Sequence, residues 1–516
     1  MTPEGAGSTR VWLIVGGLLL GTFLSAMDTL VVITALPTIV GDLGGSDRVA
    51  WVITAYLLTS TASAPLYGKL GDLVGRKNLY RLAIVIFLLG SVMSGLSQNL
   101  NELIGARALQ GLGAGGIRSL AVAIIGDVAS PRERGRYQGV MGVSAVAATI
   151  VGPLVGGFFV DHLSWRDIFF INLPLGALAL AAAARLRLPT RPRLRIRVDV
   201  AGSVLLVGAT ACAILAITWV GSKYRWSSPA IISLGAAVVT LTMAFVLQER
   251  RAREPLFPPR LFHNRIFDVV AAGAFLTGIA MFGPWVIMPI FLQVVVGTTA
   301  TNSGLLLLPL MVSLSVMSIV SGRIVSRWGR YKLFPIAGMT CALIGFSLYT
   351  TMGVGTSFAT ACLFMVVTGL GLGMFLQNLT TIVQGAAEYR DLGVATAGVA
   401  FFTQLGTSLG TTVSIGVFNN NFQRNVRLLL PRAHLDAGAL GGSPAAIRRL
   451  APSVQRPLVD AYARALHVAF TWTIPAAVLA LVVFLFLREA PLSSHVPTFQ
   501  DEHPDDRVVR ALPQEP

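Results

Sequence analysis

The chain has 516 residues, of which 54% are hydrophobic and only 12% are charged. A soluble domain carries about a quarter charged residues because its surface faces water, so this composition excludes an ordinary soluble protein and indicates a chain surrounded largely by lipid. The formal net charge of +16 could indicate nucleic-acid binding, but the position of the charges argues against it. The three cysteines lie in apolar stretches without a CxxC pattern, which argues against a disulfide framework or a metal site.

Fourteen apolar stretches are long enough to cross a bilayer as helices, which takes about 20 residues each. The first has no basic region before it beyond Arg10 and is too long for a signal peptide, so we expect a retained span. The fourteen predicted spans lie near 11–36, 50–70, 79–98, 103–127, 138–160, 168–188, 199–220, 228–248, 267–296, 303–325, 333–353, 357–384, 393–418 and 467–488.

Basic residues are concentrated in alternate loops. Loops after even-numbered spans hold 23 lysines and arginines, whereas short loops after odd-numbered spans hold 4. Short cytoplasmic loops carry the basic excess in membrane proteins, so we expect both termini in the cytoplasm and no nucleic-acid partner. The segment 419–466 carries seven arginines yet is predicted outside, as a hairpin or a short helix pair; long loops cross membranes largely regardless of charge.

A weak repeat divides the chain. GKLGDLVGRKN at 68–78 matches GRIVSRWGRYK at 322–332, and each follows the second span of a six-span unit, as in transporters with internal repeats. The predicted domains are an N-terminal six-helix bundle (1–188), a linker with two inserted helices (189–266), a C-terminal six-helix bundle with an external loop at 419–466 (267–490) and a disordered cytoplasmic tail (491–516).

Asp28 is an acidic residue well inside a predicted span. An ionised carboxylate in hydrocarbon costs about 2.5–3.5 kcal/mol, so we expect Asp28 to face a cavity, a partner or a proton pathway. Arg107 lies at a similar depth, to within about 5 Å by helix rise. Burial disfavours the charged form and a cation favours it, so the pair could switch its proton affinity as its surroundings change. A permanent structural ion pair is the alternative.

Arg118 lies eleven residues after Arg107, only about 20° beyond three helical turns. Both are therefore predicted on one face of the fourth span, with Gly111 and Ala114 keeping that face open. Arg118 then lines an inner cavity, or its side chain reaches to the membrane interface instead.

Polar residues at helical spacing predict further cavity lining, with interhelical packing as the alternative. Tyr56 could add an aromatic wall. The predicted lining comprises Arg118, Tyr56, Gln377, Thr381, Gln384, Gln404, Thr407, Ser408 and Thr411.

Five motifs occur in order: the acidic motif of the first span, a glycine-rich basic loop, a buried arginine with following glycines, a Gly-Pro motif and a Trp-Arg segment. With them the chain resembles the major facilitator superfamily, in particular its 14-span drug:proton antiporter branch (EmrB/QacA-type). The matching residues are 27–32 with 35–37, 68–77, 107 with 110–115, 152–157, and 165–166 with 170–174.

The resemblance implies an all-α polytopic membrane protein with two six-helix bundles and two inserted helices. It implies proton coupling through Asp28 and Arg107. A conformational latch is implied at Gly68, Gly71, Asp72, Gly75, Arg76 and Lys77, and an antiporter motif that acts as hinge and seal at Gly152, Pro153, Gly156 and Gly157. Ser326 stands where the second repeat would carry Asp72, so that charge is expected in one half only. Gly152-Pro153 should kink the fifth span, and Gly156-Gly157 should admit another helix closely.

The expected function is proton-coupled export of small amphiphilic or lipophilic compounds by alternating access, as a monomer in the plasma membrane. No GxxxxGK[ST] motif occurs, so we expect an ion gradient and no cofactor. Export of a lipid or an anionic metabolite is the alternative within transport, and a membrane scaffold or receptor the alternative outside it. The histidines are scattered at loops and span ends, which argues against an enzyme.

Overall fold

The computed structural model describes residues 3–43, 50–185, 199–220, 224, 227–252, 255–295, 307–388, 391–429 and 452–490. Within these residues the regular elements are helical, apart from an isolated bridge between Val220 and Tyr224. The helices are α1 (Pro3–Leu43), α2 (Ala50–Val74), α3 (Arg76–Leu96), α4 (Leu100–Val128), α5 (Pro131–His162), α6 (Asp167–Phe170), α7 (Asn172–Arg185), α8 (Val200–Trp219), α9 (Pro229–Arg251), α10 (Arg265–Val294), α11 (Leu308–Trp328), α12 (Leu333–Tyr349), α13 (Phe358–Ala386), α14 (Leu392–Leu429), α15 (Pro452–Thr471) and α16 (Thr473–Leu485), with a 3-10 helix at Pro259–His263.

Each predicted span coincides with a helix or, for the sixth and fourteenth, with two consecutive helices. Ten helical stretches in the described part of the chain are long and apolar enough to cross a membrane, and two shorter apolar helices lie at Ala201–Ile217 and Leu333–Tyr349. Helix starts follow from local capping. Asn99, for example, accepts a hydrogen bond from the amide of Glu102, whose carboxylate binds the Gln98 amide in return, as in a capping box.

The two halves repeat one packing pattern. In the N-terminal half α1 packs on α5, and α4 packs on both α2 and α3; in the C-terminal half α10 packs on α14, and α13 packs on both α11 and α12. The matching turns of the repeat contain Gly75 and Gly329, with φ of 98° and 71°, a backbone conformation that glycine adopts without steric cost. The all-α fold of two related bundles is therefore as predicted.

The inserted helices α8 and α9 form a hairpin beside this pair of bundles. They pack against each other, and α8 also contacts α2 and α14. The exposed apolar side chains of α9, including Val239 and Met243, fit a lipid-facing surface. The inserted pair thus bridges a helix of each half.

The predicted external loop at 419–466 is largely helical where it is described. Helix α14 continues to Leu429 and α15 begins at Pro452. The two helices pack through Phe422 and Tyr462, whose ring centroids lie 4.3 Å apart. The helix-pair alternative therefore fits better than a loop; 430–451 and the predicted tail 491–516 lie outside the described residues.

Reporter fusions test the arrangement in the membrane. A reporter inserted at 185–197 or 250–265 should score cytoplasmic, because both segments are rich in arginine and follow even-numbered spans. A reporter at 435–445 should score external. A cytoplasmic score at 435–445 would contradict the fourteen-span arrangement.

Candidate functional site

Asp28 lies inside the N-terminal half with its carboxylate fully engaged. Its Oδ2 is 2.6 Å from Nη1 of Arg107. Its Oδ1 accepts hydrogen bonds from Nε2 of Gln110 at 2.8 Å and Nδ2 of Asn172 at 2.7 Å. Asp28 and Arg107 are each only 1% exposed. The carboxylate therefore joins α1, α4 and α7 in one buried polar cluster.

Arg107 is held from two further sides. Its Nη1 donates to Oε1 of Gln110 at 2.7 Å, and its guanidinium carbon lies 4.2 Å from the ring centre of Tyr56. A cation over an aromatic face is attracted by the ring quadrupole. The Tyr56 hydroxyl donates to the Ser25 carbonyl at 3.1 Å. Tyr56 is thus buried against Arg107, and its prediction as cavity wall is wrong because its ring turns into the bundle.

A buried ion pair of this kind gains little net stability, since desolvation offsets most of the attraction. Removing the charge of Asp28 alone, however, leaves Arg107 buried without a counter-charge. Protonation of Asp28 would have the same effect and would free Arg107 to reorganise. Gln110 and Asn172 were not predicted as partners of Asp28. The available signal was their polarity inside apolar spans, with Gln110 one helical turn after Arg107.

The Gly-Pro motif places α5 directly behind Asp28. A Cβ at Gly152 would lie 2.7 Å from Cβ of Leu30, and one at Gly156 would lie 3.0 Å from the Val31 carbonyl oxygen. These two glycines allow the α1 and α5 backbones to approach closely. Among the described residues, no atom lies within 4 Å of a Cβ at Gly157, so the predicted close approach holds for Gly156 and is wrong for Gly157. The side chain of Pro153 lies outside the described set, and α5 is a continuous helix through it.

The glycine-rich loop at 68–77 connects the halves through Asp72. The Asp72 carboxylate accepts the amides of Gly393 at 3.2 Å and Val394 at 3.1 Å, which belong to the first turn of α14. An anion at a helix N-terminus is stabilised by free N–H groups and the helix dipole. Arg76 pairs with Asp72 at 2.7 Å and with Asp127 at 2.7 Å. Asp72, one of the residues of the implied latch, is therefore both an acceptor at a helix N-terminus and a partner of Arg76.

Glycines of both repeats lie where the halves touch. A Cβ at Gly68 would lie 2.8 Å from Ala397 of α14, and one at Gly322 would lie 2.1 Å from the Gly135 oxygen of α5. Gly71, in contrast, admits Leu120 of α4 within the N-terminal half, and Lys77 is partly exposed. We call this region, where the loop motif and its repeat meet the opposite half, the motif end. Its symmetric contacts fix the two halves together at that end.

Arg134 is a fully buried arginine at the motif end. Its guanidinium donates to the carbonyls of Gln384 at 2.7 Å, Gly126 at 2.7 Å and Ala129 at 3.2 Å. These carbonyls lie at the ends of α13 and α4, in opposite halves. Neither Arg134 nor Asp127 was predicted as a site residue, because loop arginines and acids at span ends are normally solvated. The sequence signal available for these two residues was a basic loop that forms only a short connection between α4 and α5.

Gln384 also joins the halves. Its Nε2 donates to the Val122 carbonyl at 3.1 Å and to Oγ1 of Thr396 at 3.0 Å. Thr381 is fully buried on the same helix. Both were predicted to line a cavity; the structure instead buries both side chains, Gln384 at the contact between the halves. Gln377 is described only as part of helix α13, so its predicted lining role lies outside the described side chains.

We expect Asp72→Asn to loosen the motif end. An anion at a helix N-terminus is worth about 0.3–2 kcal/mol, so an impermeant maleimide applied from the motif end should label a cysteine at Val122 about threefold faster or more. The test protein has its three native cysteines replaced. The exposed Asp460, on α15, gives the control Asp460→Asn, which should leave the labelling rate unchanged. Unchanged labelling in Asp72→Asn would show that Arg134 and Gln384 hold the halves without it.

A cavity of about 160 Å³ lies between the halves. Helices α2 and α4 form one wall and α13 and α14 the other. Gln404 lines it as predicted, and Arg118 is the one charged side chain among its described lining residues. Ser408 and Thr411 donate to carbonyls of their own helix, those of Gln404 and Thr407. These two hydroxyls therefore form hydrogen bonds within α14 itself. Thr407 is nearly buried.

Arg118 and Arg107 do not share an open face. A Cβ at Gly111 would lie 2.4 Å from the Tyr56 oxygen, and Ala114 is completely buried, because α2 packs over the small residues between the two arginines. The prediction that these residues keep the face open is wrong for that reason. Arg118 is exposed to the cavity between the halves, whereas Arg107 stays inside its own bundle.

The sequence model of the Major Facilitator Superfamily matches residues 18–411. The chain belongs to this family. It is 38% identical to the multidrug transporter protein MdtP of Bacillus subtilis over 419 residues, 81% of this chain and 77% of the relative. It is 32% identical to multidrug resistance protein 3 of the same organism over 487 residues, 92% and 95% of the two chains. An uncharacterized MFS-type transporter of Mycobacterium tuberculosis is 39% identical over 92% of this chain and 69% of its own length.

Solved structures share the fold of this major facilitator protein. The human organic anion transporter MFSD10 superposes with a TM-score of 0.62 at 15% identity, covering 95% of this chain and all of its own. The proton:xylose symporter XylE superposes with a TM-score of 0.62 at 14% identity, covering 94% and 97%. The predicted resemblance to the family is confirmed, and the chain is a multi-pass membrane transporter, not an enzyme.

Proposed function

We propose that this major facilitator protein is a proton-coupled antiporter that exports small amphiphilic compounds from the cell by alternating access. It acts as a monomer in the plasma membrane with both termini cytoplasmic. Its relatives named multidrug transporter and multidrug resistance protein support export of varied small molecules. Proton coupling and antiport rest on the site geometry, and the driving force is the proton gradient alone.

Alternating access is supported by contacts that join the halves at one end. Asp72, Arg134 and Gln384 close the motif end. A described basic residue of a loop after an even-numbered span also lies at this end: Arg260 pairs with Asp391, next to the first turn of α14, through two hydrogen bonds. A basic excess is typical of cytoplasmic loops. With both termini proposed in the cytoplasm, the motif end faces the cytoplasm, and the proposed state is closed toward that side.

The observation that carries proton coupling is the buried Asp28 cluster. The ion pair between Asp28 and Arg107 requires the negative charge of the carboxylate. A proton on Oδ2 of Asp28 removes its ion pair with Arg107, while Oδ1 still accepts the two amides, and thereby alters the contact between α1 and α4. Close packing of α5 against α1 at Gly152 and Gly156 would transmit that change to the helix that contacts the other half.

Export of an anionic or lipid-like compound is the second candidate. It is favoured by Arg118, which brings a positive charge into the central cavity, where the described lining residues include no acid. A scaffold or receptor would not need a cavity of this kind between two mobile halves.

A proteoliposome assay tests the proposed function. Purified protein is reconstituted with an imposed pH gradient, and dissipation of the gradient is followed on addition of cationic, neutral or anionic amphiphiles of similar size. Substrate-dependent proton efflux with any of them supports antiport, and the preferred charge separates the two candidates. Substrate movement without any proton movement would overturn the coupling.

A further inference from the structure

A second, larger cavity of about 700 Å³ lies at the side of the transporter. It is enclosed by the inserted helices α8 and α9, by the segment 257–263 and by α14. Its volume falls within the range of about 300–1,000 Å³ that is typical of sites for drug-sized ligands. None of the roles proposed above uses this cavity.

Five phenylalanines form one aromatic group in its otherwise largely aliphatic wall. Phe257 is the centre of the group, with ring centroids 6.2–6.5 Å from those of Phe245, Phe262, Phe401 and Phe402. Rings at these distances and tilts can receive a flat apolar molecule by edge-to-face or offset contact. The body of a fitting ligand is therefore aromatic or otherwise apolar.

The polar end of the cavity offers positive charge. Glu249 is only 5% exposed, and its two oxygens accept the amides of Leu256 at 3.1 Å and Phe257 at 2.9 Å, so it is already satisfied. Arg250 and His263 also line this end and are exposed. Arg250 has no hydrogen-bond or ion-pair partner among the described residues. A ligand group placed here would meet the Arg250 guanidinium, whereas both oxygens of the Glu249 carboxyl group already face backbone amides.

Phe401 lines this lateral cavity and also the central cavity that contains Arg118. One side chain of α14 therefore separates the two spaces. A molecule in the lateral cavity lies one ring away from the space between the halves.

We propose that the lateral cavity is a binding site for a drug-sized lipophilic monoanion. Its apolar body packs on the five phenylalanines, its anionic group pairs with Arg250, and Phe401 separates it from the central cavity. The inference extends the proposed function by naming a second site and its ligand class. Binding at this site does not depend on proton coupling.

The test uses two fluorescent probes with the same apolar skeleton, 8-anilino-1-naphthalenesulfonate and neutral N-phenyl-1-naphthylamine. Saturable binding is measured without a pH gradient, on the full-length protein in nanodiscs of zwitterionic lipid. Arg250→Ala should weaken sulfonate binding about tenfold or more, because it removes a hydrogen bond between two charged groups, and Arg250→Glu should weaken it further. Binding of the neutral probe should change less than twofold, which shows that the cavity is intact.

Two matched variants locate the site. The neighbouring Arg251 is exposed and does not line the cavity, so Arg251→Glu should leave both probes unaffected. Arg118→Ala removes the charge of the central cavity and tests whether the probe binds there instead. Loss of binding in Arg118→Ala but not in Arg250→Ala would place the probe in the central cavity and overturn the proposal.

A lipid competitor gives a further test. If phosphatidylglycerol displaces the probe even at its lowest mole fractions in the nanodisc, the cavity is assigned to a lipid instead. If the binding results are as expected but no proton coupling is found, only the proposed function is overturned.

Discussion

Substituting asparagine for Asp28 should abolish accumulation of substrate driven by a pH gradient. If one proton is exchanged for each molecule, a gradient of about one pH unit sustains a tenfold concentration ratio, equivalent to about 1.4 kcal/mol. Asp28→Asn removes the titrating group, so the ratio should fall to about one. Substrate exchange without a gradient should continue. The measurement is uptake of labelled substrate into inside-out vesicles with and without the gradient.

Folding of this variant needs its own check, because removal of one partner of a buried ion pair typically costs about 3–5 kcal/mol. The double variant Asp28→Asn/Arg107→Gln removes both charges and should restore folding without restoring coupling. The matched control is Asp42→Asn, at the exposed end of the same helix, which should retain the tenfold ratio. A tenfold ratio in Asp28→Asn itself would remove Asp28 from the coupling mechanism.

Substituting alanine for Arg118 should reverse the charge preference of the central cavity. A substrate charge about 8 Å from the guanidinium interacts with it by roughly 2 kcal/mol at an effective dielectric constant near 20, which is about a thirtyfold change in affinity. Arg118→Ala should thus improve export of monovalent cations and weaken export of anions. The measurement is the apparent affinity for cationic and anionic amphiphiles of matched size.

Two further arginine variants serve as controls for this result. Arg118→Lys keeps the charge and should keep the native preference, unless a planar bidentate contact is required. Arg81→Ala removes an exposed arginine of α3 outside the cavity and should change neither affinity. Equal shifts for cations and anions in Arg118→Ala would rule out charge selection by this residue.

The helices and the principal ion pair were predictable because each leaves a strong signal. Apolar length defines a membrane helix, and one acid in an apolar span must find a partner at its own depth, which selected Arg107 for Asp28. The contact of Asp72 with a helix N-terminus was likewise predictable from its position in a glycine-rich turn.

Other features depend on how helices rotate and where they end, which spacing alone does not determine. Tyr56 and Gln384 carry the same kind of polar signal as Gln404, yet one turns into its bundle and one lies at the contact between halves. The role of Arg134 was not predictable, because the basic excess of cytoplasmic loops already accounts for an arginine at this position. Its burial follows only from the approach of α13, a helix about 250 residues away in the sequence.

The contacts of Arg134 have a consequence for comparative sequence work. All three of its acceptors are main-chain carbonyls, at Gln384, Gly126 and Ala129, and any amino acid supplies the same oxygen. Exchange of the acceptor side chains among relatives would leave these bonds in place, so no compensating change at position 134 is required. Methods that infer contacts from correlated substitutions should therefore underestimate this junction, although it joins the two halves directly.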